Sequence, residues 1–502
     1  MIINQVRYFK KTIRILQRIL IFLLFSFTAL IPEAAFAKSL IDSGNTLNNS
    51  DLSLDKYITY ISETGDTLPG LAVRFKTTVK EIDDDNEFIS SQETTLASGT
   101  AVKLPTKSVT SLESPYLIFP NSLFINGPAQ VGFNTLAFVN SHPGWLREYV
   151  GFDGIGNRKG AEIVDNAAQA YSISPRLLLA LLEYQSSALS EANPTEESLL
   201  FPMGYKNPRH QYLYNQVMWV AHQLNNGYYS WRDGSITSII GKDGNILKPD
   251  PRENAASVAI QNFFFMIRPA YVFKYAISPE GFAATYNHLF GDAWASNKPH
   301  IPKNLKQPEF ILPFDLGKTW AFTGGPHTAW GEDGQPWAAL DFAPPSNLFG
   351  CETSEEWATA VAPGIVTRSE PGRVVLDLDS DGDERTGWVV SYFHIATKDR
   401  VLAGTRLNLG DHIGHPSCEG GHSTGSHVHI SRQYNGEWVL AYGALAFVMD
   451  GWKAEKGEVE YKGTLVRDSQ IVYANTNANS KSIVTREINS VLTEKEVANI
   501  IN

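Results

Sequence analysis

Four prolines, Pro299, Pro302, Pro308 and Pro313, separate two stretches whose apolar residues recur with different periods. Upstream, over about 130–300, "PRLLLALLEYQSSALS", "NAASVAIQNFFFMI" and "FAATYNHLFGDAW" carry apolar and aromatic residues at helical spacing. Downstream, "GRVVLDLD" and "GWVVSYFHIA" alternate residue by residue, as strands do when one face is buried. Helical and strand periods call for separate layers, so a multidomain α+β architecture is expected: an all-α domain over 130–300, then an antiparallel β-rich domain over 313–450. Pro175 suits a first helical turn, and the run 177–182, apolar on nearly every side, predicts a buried helix. The remainder, 451–502, reads as one last hairpin and a mobile tail.

At 502 residues the chain exceeds one ordinary core, and its 43% hydrophobic and 19% charged content is that of a folded protein. With 42 basic and 53 acidic residues the net charge is −11, which disfavours nucleic acid as a partner. Basic residues Arg7, Lys10, Lys11, Arg14 and Arg18 precede an apolar run over 19–31 and then Ala35-Phe36-Ala37, which predicts a secretory signal over 1–37, cut after Ala37. The competing reading is an uncleaved membrane anchor, but the apolar run is shorter than the ~20 residues a spanning helix needs, so no membrane association is expected once the signal is removed. In an exported chain the two cysteines, Cys351 and Cys418, suggest a disulfide, the alternative being two buried thiols.

Residues 38–56 are polar and read as a linker. From 57 to 106 a short alternating strand, a Gly65-Asp66 turn and apolar residues at helical spacing predict a small βααβ unit. With "GDTL", "LAVRFKTTV" and "LASGTAVKLP" in that order, this stretch resembles a LysM module, which implies binding to N-acetylglucosamine-containing glycans. Asn86 stands for the family's usual turn asparagine, in a loop that is longer and more acidic than usual.

The helical segment resembles a lysozyme-like domain of the kind found in wall-cleaving enzymes. In such domains a helix ending in A-x-x-x-E-S supplies the catalytic acid. Here the matching position is Gln185, an amide that cannot protonate a glycosidic oxygen. Glu183 lies two residues earlier, about 200° round the helix. The domain is therefore expected to be non-catalytic, with glycan cleavage by Glu183 as the alternative.

Seven of the twelve histidines fall between 327 and 429, which directs attention to the β-rich region. In "SHVHIS", His427 and His429 leave the same face of a strand. "TGGPHTAW" sets His327 in a Gly/Pro-rich loop, "WAALDFAPP" sets Asp341 on a strand, and "VVSYFHIA" sets His394 at a strand end. Imidazoles and a carboxylate on separate strands suit a catalytic zinc, which needs about three protein ligands and an open position. By alternation Tyr392 shares a face with His394 and is a candidate oxyanion contact, a packed strand tyrosine being the alternative. His412, His415 and His422 are expected to be loop histidines without a metal role. "DLDSDGDERTGW" resembles a calcium loop from Asp377, but its twelfth position is Trp388 rather than glutamate, so a polar hairpin turn is expected.

In order, "GGPH", "WAALDF", "VAPGIV", "SYFHIA", "GDHIGH" and "STGSHVHIS" resemble the lysostaphin-type zinc endopeptidases. In the commoner members three residues separate the histidine from the aspartate, and here Trp337 stands at that place; the longer interval from His327 to Asp341 matches the β-lytic subgroup. The resemblance implies one Zn²⁺ held by His327, Asp341 and His429, with His394 and His427 as catalytic residues beside it. It further implies a secreted, wall-associated hydrolase that cuts amide bonds in peptidoglycan stem peptides or cross-bridges. A wall-binding or regulatory protein that keeps the fold without turnover is the rival reading, and loss of one of these five residues would mark it.

Overall fold

The computed structural model describes residues 56–111, 113–331, 333–345 and 350–487. The expected signal sequence and nearly all of the expected linker lie outside the described residues. Helices and antiparallel sheets are mixed, and no helix among the described residues is long and apolar enough to cross a membrane.

The first unit runs strand, helix, helix, strand. β1 (Tyr57–Ile61) pairs antiparallel with β2 (Ala101–Pro105), and α1 (Leu68–Arg74) and α2 (Val79–Asp85) lie between them in sequence. Each helix start is fixed by a threonine. Thr67 accepts from Gly70 N–H at 3.3 Å, and Thr78 and Glu81 form a reciprocal capping box. Tyr60, Leu71, Phe75, Ile82, Val102 and Leu104 make the small core. Asn86 closes the turn after α2 by donating to Ile82 O and Lys103 O and accepting from Lys103 N–H.

Three helices organise the middle of the chain: α3 (Pro175–Ser186), α4 (Tyr212–Asp233) and α5 (Ala255–Ile267). Ser174 caps α3 by accepting from Leu177 N–H, and residues 177–182 are fully buried, as the all-round apolar run predicts. Truncating any of these leucines to alanine typically costs ~2–5 kcal/mol. Gly227 lets α4 meet α5, since a Cβ there would stand 2.8 Å from Ala259 Cα. Glu183 and Gln185, two candidates for the same acid, are both engaged. Glu183 accepts from Leu189 N–H, Ser190 N–H and the Ser190 hydroxyl, and Gln185 Oε1 accepts from Arg268.

Beyond the prolines a nine-stranded antiparallel sheet forms from β3 (Thr319–Thr328), β4 (Trp337–Ala343), β5 (Gly364–Glu370), β6 (Gly372–Asp377), β7 (Trp388–Ile395), β8 (Arg406–Leu407), β9 (Val428–Tyr434), β10 (Glu437–Trp438) and β11 (Ile483–Thr485). Their spatial order is β8-β5-β6-β7-β9-β4-β3-β11, with β10 also on β9. Leu340, Phe342, Val390, Tyr392, Val428 and Ile430 fill its inner face.

The two large regions do not part at the prolines. Ala329, Ala338 and Trp438 of the sheet region are buried in the same cluster as α3, α4 and α5. A polar seam joins all three regions as well: Arg232 lies 4.0 Å from Asp66, which pairs with Arg74 at 3.0 Å, while Glu437 accepts from Arg232 at 3.1 Å and His300 at 2.6 Å. After residue 450, where one hairpin and a mobile tail are expected, the chain instead adds three strands to Val448–Met449 and so completes a four-stranded sheet that ends at Gln470–Tyr473. It then returns to the main sheet as β11, whose Val484 is buried against β3. That short polar-flanked strand has one inward residue, too little for a periodicity to show. Residues 488–502 lie outside the described residues.

Candidate metal centre

Four strands aim side chains at one point on the outer face of the sheet. Across β4, β9 and β7, Asp341 pairs with His429 and His429 with Phe393, so these three side chains stand in a row. Their sequence neighbours Leu340, Ile430 and Tyr392 fall on the core side. The alternation read in "HVH" follows from this: Val428 is fully buried between His427 and His429.

Two backbone irregularities complete the set. In β3, Gly324 stands opposite Asp341 but His327 opposite Ala339, three residues against two, which is a bulge in a segment marked by Gly-Gly-Pro. His327 thus lies within a strand rather than in a loop. In β7, Phe393 pairs with Arg373 and Ile395 with Gly372, leaving His394 bulged between them at φ +61°. The bulge breaks alternation at this residue and turns His394 away from the core, toward His427, with ring centroids 4.5 Å apart. Tyr392, one step earlier, stays in the core. It is fully buried and its hydroxyl accepts from Val361 N–H at 2.8 Å. The expectation that Tyr392 shares a face with His394 and reaches an oxyanion is therefore corrected, because alternation does not survive a bulge.

His327 Nε2 lies 3.2 Å, His429 Nδ1 3.4 Å and His427 Nε2 3.7 Å from Asp341 Oδ1. Every imidazole is oriented through its other nitrogen by a main-chain carbonyl. His327 Nδ1 faces Gly325 O at 2.7 Å, His429 Nε2 faces Ala329 O at 3.2 Å, His394 Nδ1 faces Glu419 O at 3.0 Å and His427 Nδ1 faces Gly425 O at 2.8 Å. With a proton on each carbonyl-facing nitrogen, the inward nitrogens present lone pairs.

Burial alone would raise the Asp341 carboxyl, yet the surrounding imidazoles, His327 foremost, hold it well below the usual carboxylate range. His394 is pushed down to about 3, first by burial and then by His427 and His429, so it is neutral at physiological pH. Burial likewise lowers His429.

Cys351 and Cys418 are joined by a disulfide with a Cα–Cα distance of 5.3 Å. The bond holds Glu419, whose carbonyl orients His394, near the turn that precedes His427, where Ser426 N–H donates to Gly350 O. Of the histidines expected to be loop residues, His412 stacks on Trp357 and His415 is buried against the same ring, while His422 lines the cleft.

Three contributors were not legible in the sequence. Tyr461, beyond the expected domain end, stacks on His327 with centroids 4.2 Å apart. Gly324 leaves the space that the Asp341 carboxylate occupies. The opposite wall of the cleft, about 770 Å³, comes from α4 through Asn215, Met218, Trp219 and His222. The glycine pair in "TGGPH" was the one local signal among these.

Comparison with known proteins matches residues 117–304 to the family model "LasA, N-terminal domain", a span wider than the helical region expected over 130–300. "Protease LasA" of Pseudomonas aeruginosa (strain UCBPP-PA14) is 27% identical over 327 residues, covering 60% of this chain and 72% of that protein. "Beta-lytic metalloendopeptidase" of Achromobacter lyticus is 28% identical over 134 residues, covering 25% of this chain and 33% of that one. Among solved structures, the one titled "A Novel M23 Metalloprotease Pseudoalterin from Deep-sea" is 24% identical, covering 34% of this chain and 96% of that one at a TM-score of 0.29. By these sequence likenesses residues 117–304 match a LasA N-terminal domain, and the chain is similar to the lysostaphin-type zinc endopeptidases.

Proposed function

We propose that this is a secreted zinc endopeptidase that hydrolyses amide bonds in the peptide stems or cross-bridges of peptidoglycan, with zinc held by His327, Asp341 and His429. The observation that carries the reading is the donor set. His327 Nε2 and His429 Nδ1 face each other at 3.0 Å, and they stand 3.2 Å and 3.4 Å from the buried Asp341 Oδ1. Two lone pairs and a carboxylate oxygen at such range repel unless a proton or a cation lies among them, and two imidazoles with one carboxylate fit zinc's preferred ligands. When bound, zinc supplies Lewis acidity that polarises the scissile carbonyl and acidifies an attacking water toward ~7.

The remaining steps belong to the chain. His427, held by Gly425 O through Nδ1, presents a basic Nε2 to the centre, takes the proton of the attacking water and returns it to the leaving amine. His394, neutral and turned inward by its bulge, presents Nε2 on the same side and orients the scissile group. The wall from α4 narrows the approach to an extended peptide lying between the two regions. All five residues named in the sequence converge here, which favours turnover over a wall-binding protein that merely keeps the fold.

Purified full-length protein should contain one zinc per chain, lose peptidase activity with a chelator and regain it with added zinc. Active protein free of zinc by metal analysis would sink the reading.

The βααβ unit over 57–106 is the proposed glycan-binding module, on its LysM-like motifs. The helical region is proposed to be non-catalytic, because Gln185 is bound by Arg268 and Glu183 is spent on three donors at the end of α3. Digestion of purified peptidoglycan by the full chain should release new amino groups without new reducing ends. Reducing ends that appear and then vanish in Glu183→Gln would make the helical region a second enzyme.

A further inference from the structure

The hairpin between β6 and β7 carries a second cluster of oxygen donors, at the end opposite His394. The loop reads Asp377, Asp379, Asp381, Gly382 at alternate and then adjacent positions. One carboxylate oxygen from each of the three aspartates lies within 4.8 Å of the others. Asp379 and Asp381 are exposed, but Asp377 is fully buried. Its Oδ2 accepts from Gly382 N–H at 2.9 Å, and its Oδ1 is buried without a hydrogen-bond partner. Asp379 Oδ1 accepts from Asp381 N–H at 3.3 Å, and Asp381 accepts from Asp383 N–H at 2.8 Å and the Thr386 hydroxyl at 2.7 Å.

The nearby cations are committed elsewhere. Arg385 pairs with Asp383 at 2.6 Å and Arg368 with Glu384 at 2.5 Å, and among the described residues no lysine or arginine pairs with Asp377, Asp379 or Asp381. A buried, unpartnered carboxylate oxygen beside two further carboxylates is costly unless a proton or a cation joins it. Burial, with Asp379 adding to it, pushes the Asp377 carboxyl up to about 7, so the protein alone meets that cost with a proton. A dication would meet it more fully. Calcium binds oxygens at about 2.3–2.6 Å, so oxygens sharing one ion lie within about 5 Å of one another, and this trio does.

We propose that Asp377, Asp379 and Asp381 form a calcium site, completed by main-chain carbonyls and water, that stiffens the β6–β7 hairpin. Trp388 at the twelfth position removes the bidentate glutamate of the EF-hand loop, so the affinity belongs to the weak range of extracellular modules, about 10⁻⁴–10⁻³ M. The polar hairpin turn expected from the sequence thus gains a ligand, through the orphaned Asp377 oxygen that the sequence does not reveal. The hairpin also touches the helical region, where Arg385 donates to Gln130 O at 2.9 Å, and the hairpin's Glu384 holds Arg368 of β5, which donates to Gln169 Oε1 at 3.1 Å. Calcium would therefore brace that contact as well as the strand that carries His394.

The test uses zinc-loaded full-length protein in calcium-free buffer. Terbium luminescence sensitised by tryptophan should rise saturably and be displaced by calcium. Thermal unfolding should shift upward by roughly 1–3 °C at 10 mM calcium. Asp379→Ala/Asp381→Ala should abolish both responses with unchanged zinc content and unchanged calcium-free peptidase activity. Asp377→Asn should unfold at higher temperature than the parent without calcium and show no calcium shift, since it removes the buried charge and the ligand together. The proposal is overturned by a parent protein that does not respond to calcium, by a calcium shift that survives in the double variant, or by an equal response to magnesium.

Discussion

His429→Ala is expected to leave the purified protein without zinc and without measurable peptidase activity, while His427→Ala keeps its zinc and loses ~10²–10⁴-fold in rate. The two histidines share a strand face and differ in where their free nitrogens stand. His429 Nδ1 is 3.0 Å from His327 Nε2 and 3.4 Å from Asp341, inside the donor set. His427 Nε2 is 3.7 Å from Asp341, at the rim, and its ring sits beside His394. Deleting a ligand removes the site, whereas deleting the base leaves the Lewis acid and takes away proton transfer. Zinc content by mass spectrometry and kcat on a short peptide substrate separate the cases. Equal loss of zinc in both variants would mean that the roles are wrongly divided.

Gly324→Ala, the smallest change possible at that position, is expected to weaken zinc binding ~10–100-fold and to lower the rate by a comparable factor. The added Cβ would stand 2.3 Å from Asp341 Oδ2 and 3.0 Å from Asp341 Cβ. The backbone of Asp341 has nowhere to retreat, because β4 is paired on both sides and Leu340 and Phe342 are locked in the core. The carboxylate must rotate out of the donor set instead. Circular dichroism should stay unchanged, which separates a displaced ligand from a lost fold. Normal zinc affinity in this variant would show that the carboxylate does not depend on the gap at Gly324.

Much of the site could be read before the fold, and the reason is local. His427, Val428 and His429 obey strand alternation, and so do Leu340, Asp341 and Phe342, so their faces follow from a period of two. The buried helix over 177–182 was legible for the same kind of reason. Where alternation fails, the reading failed with it. The bulge at His394 is decided by pairing with Gly372 and Arg373, residues about twenty positions away, and it put Tyr392 on the wrong side of the sheet. Tyr461 and Trp219 reach the cleft from elements far off in sequence, and no local pattern marks either one. The sharing of a core by α4 and β10 is likewise a tertiary fact, since Trp438 reads in sequence as an ordinary strand tryptophan.

The left-handed backbone at His394 has a bearing on attempts to improve this enzyme. A non-glycine residue at φ +61° carries a conformational cost of about 1–2 kcal/mol, which glycine or asparagine would largely relieve. Heat resistance and turnover therefore pull this position in opposite directions. A library screened for survival at high temperature alone would enrich variants that have discarded the imidazole and kept a better-relaxed hairpin. Thermostable descendants worth keeping have to find their gains elsewhere, with residue 394 held fixed.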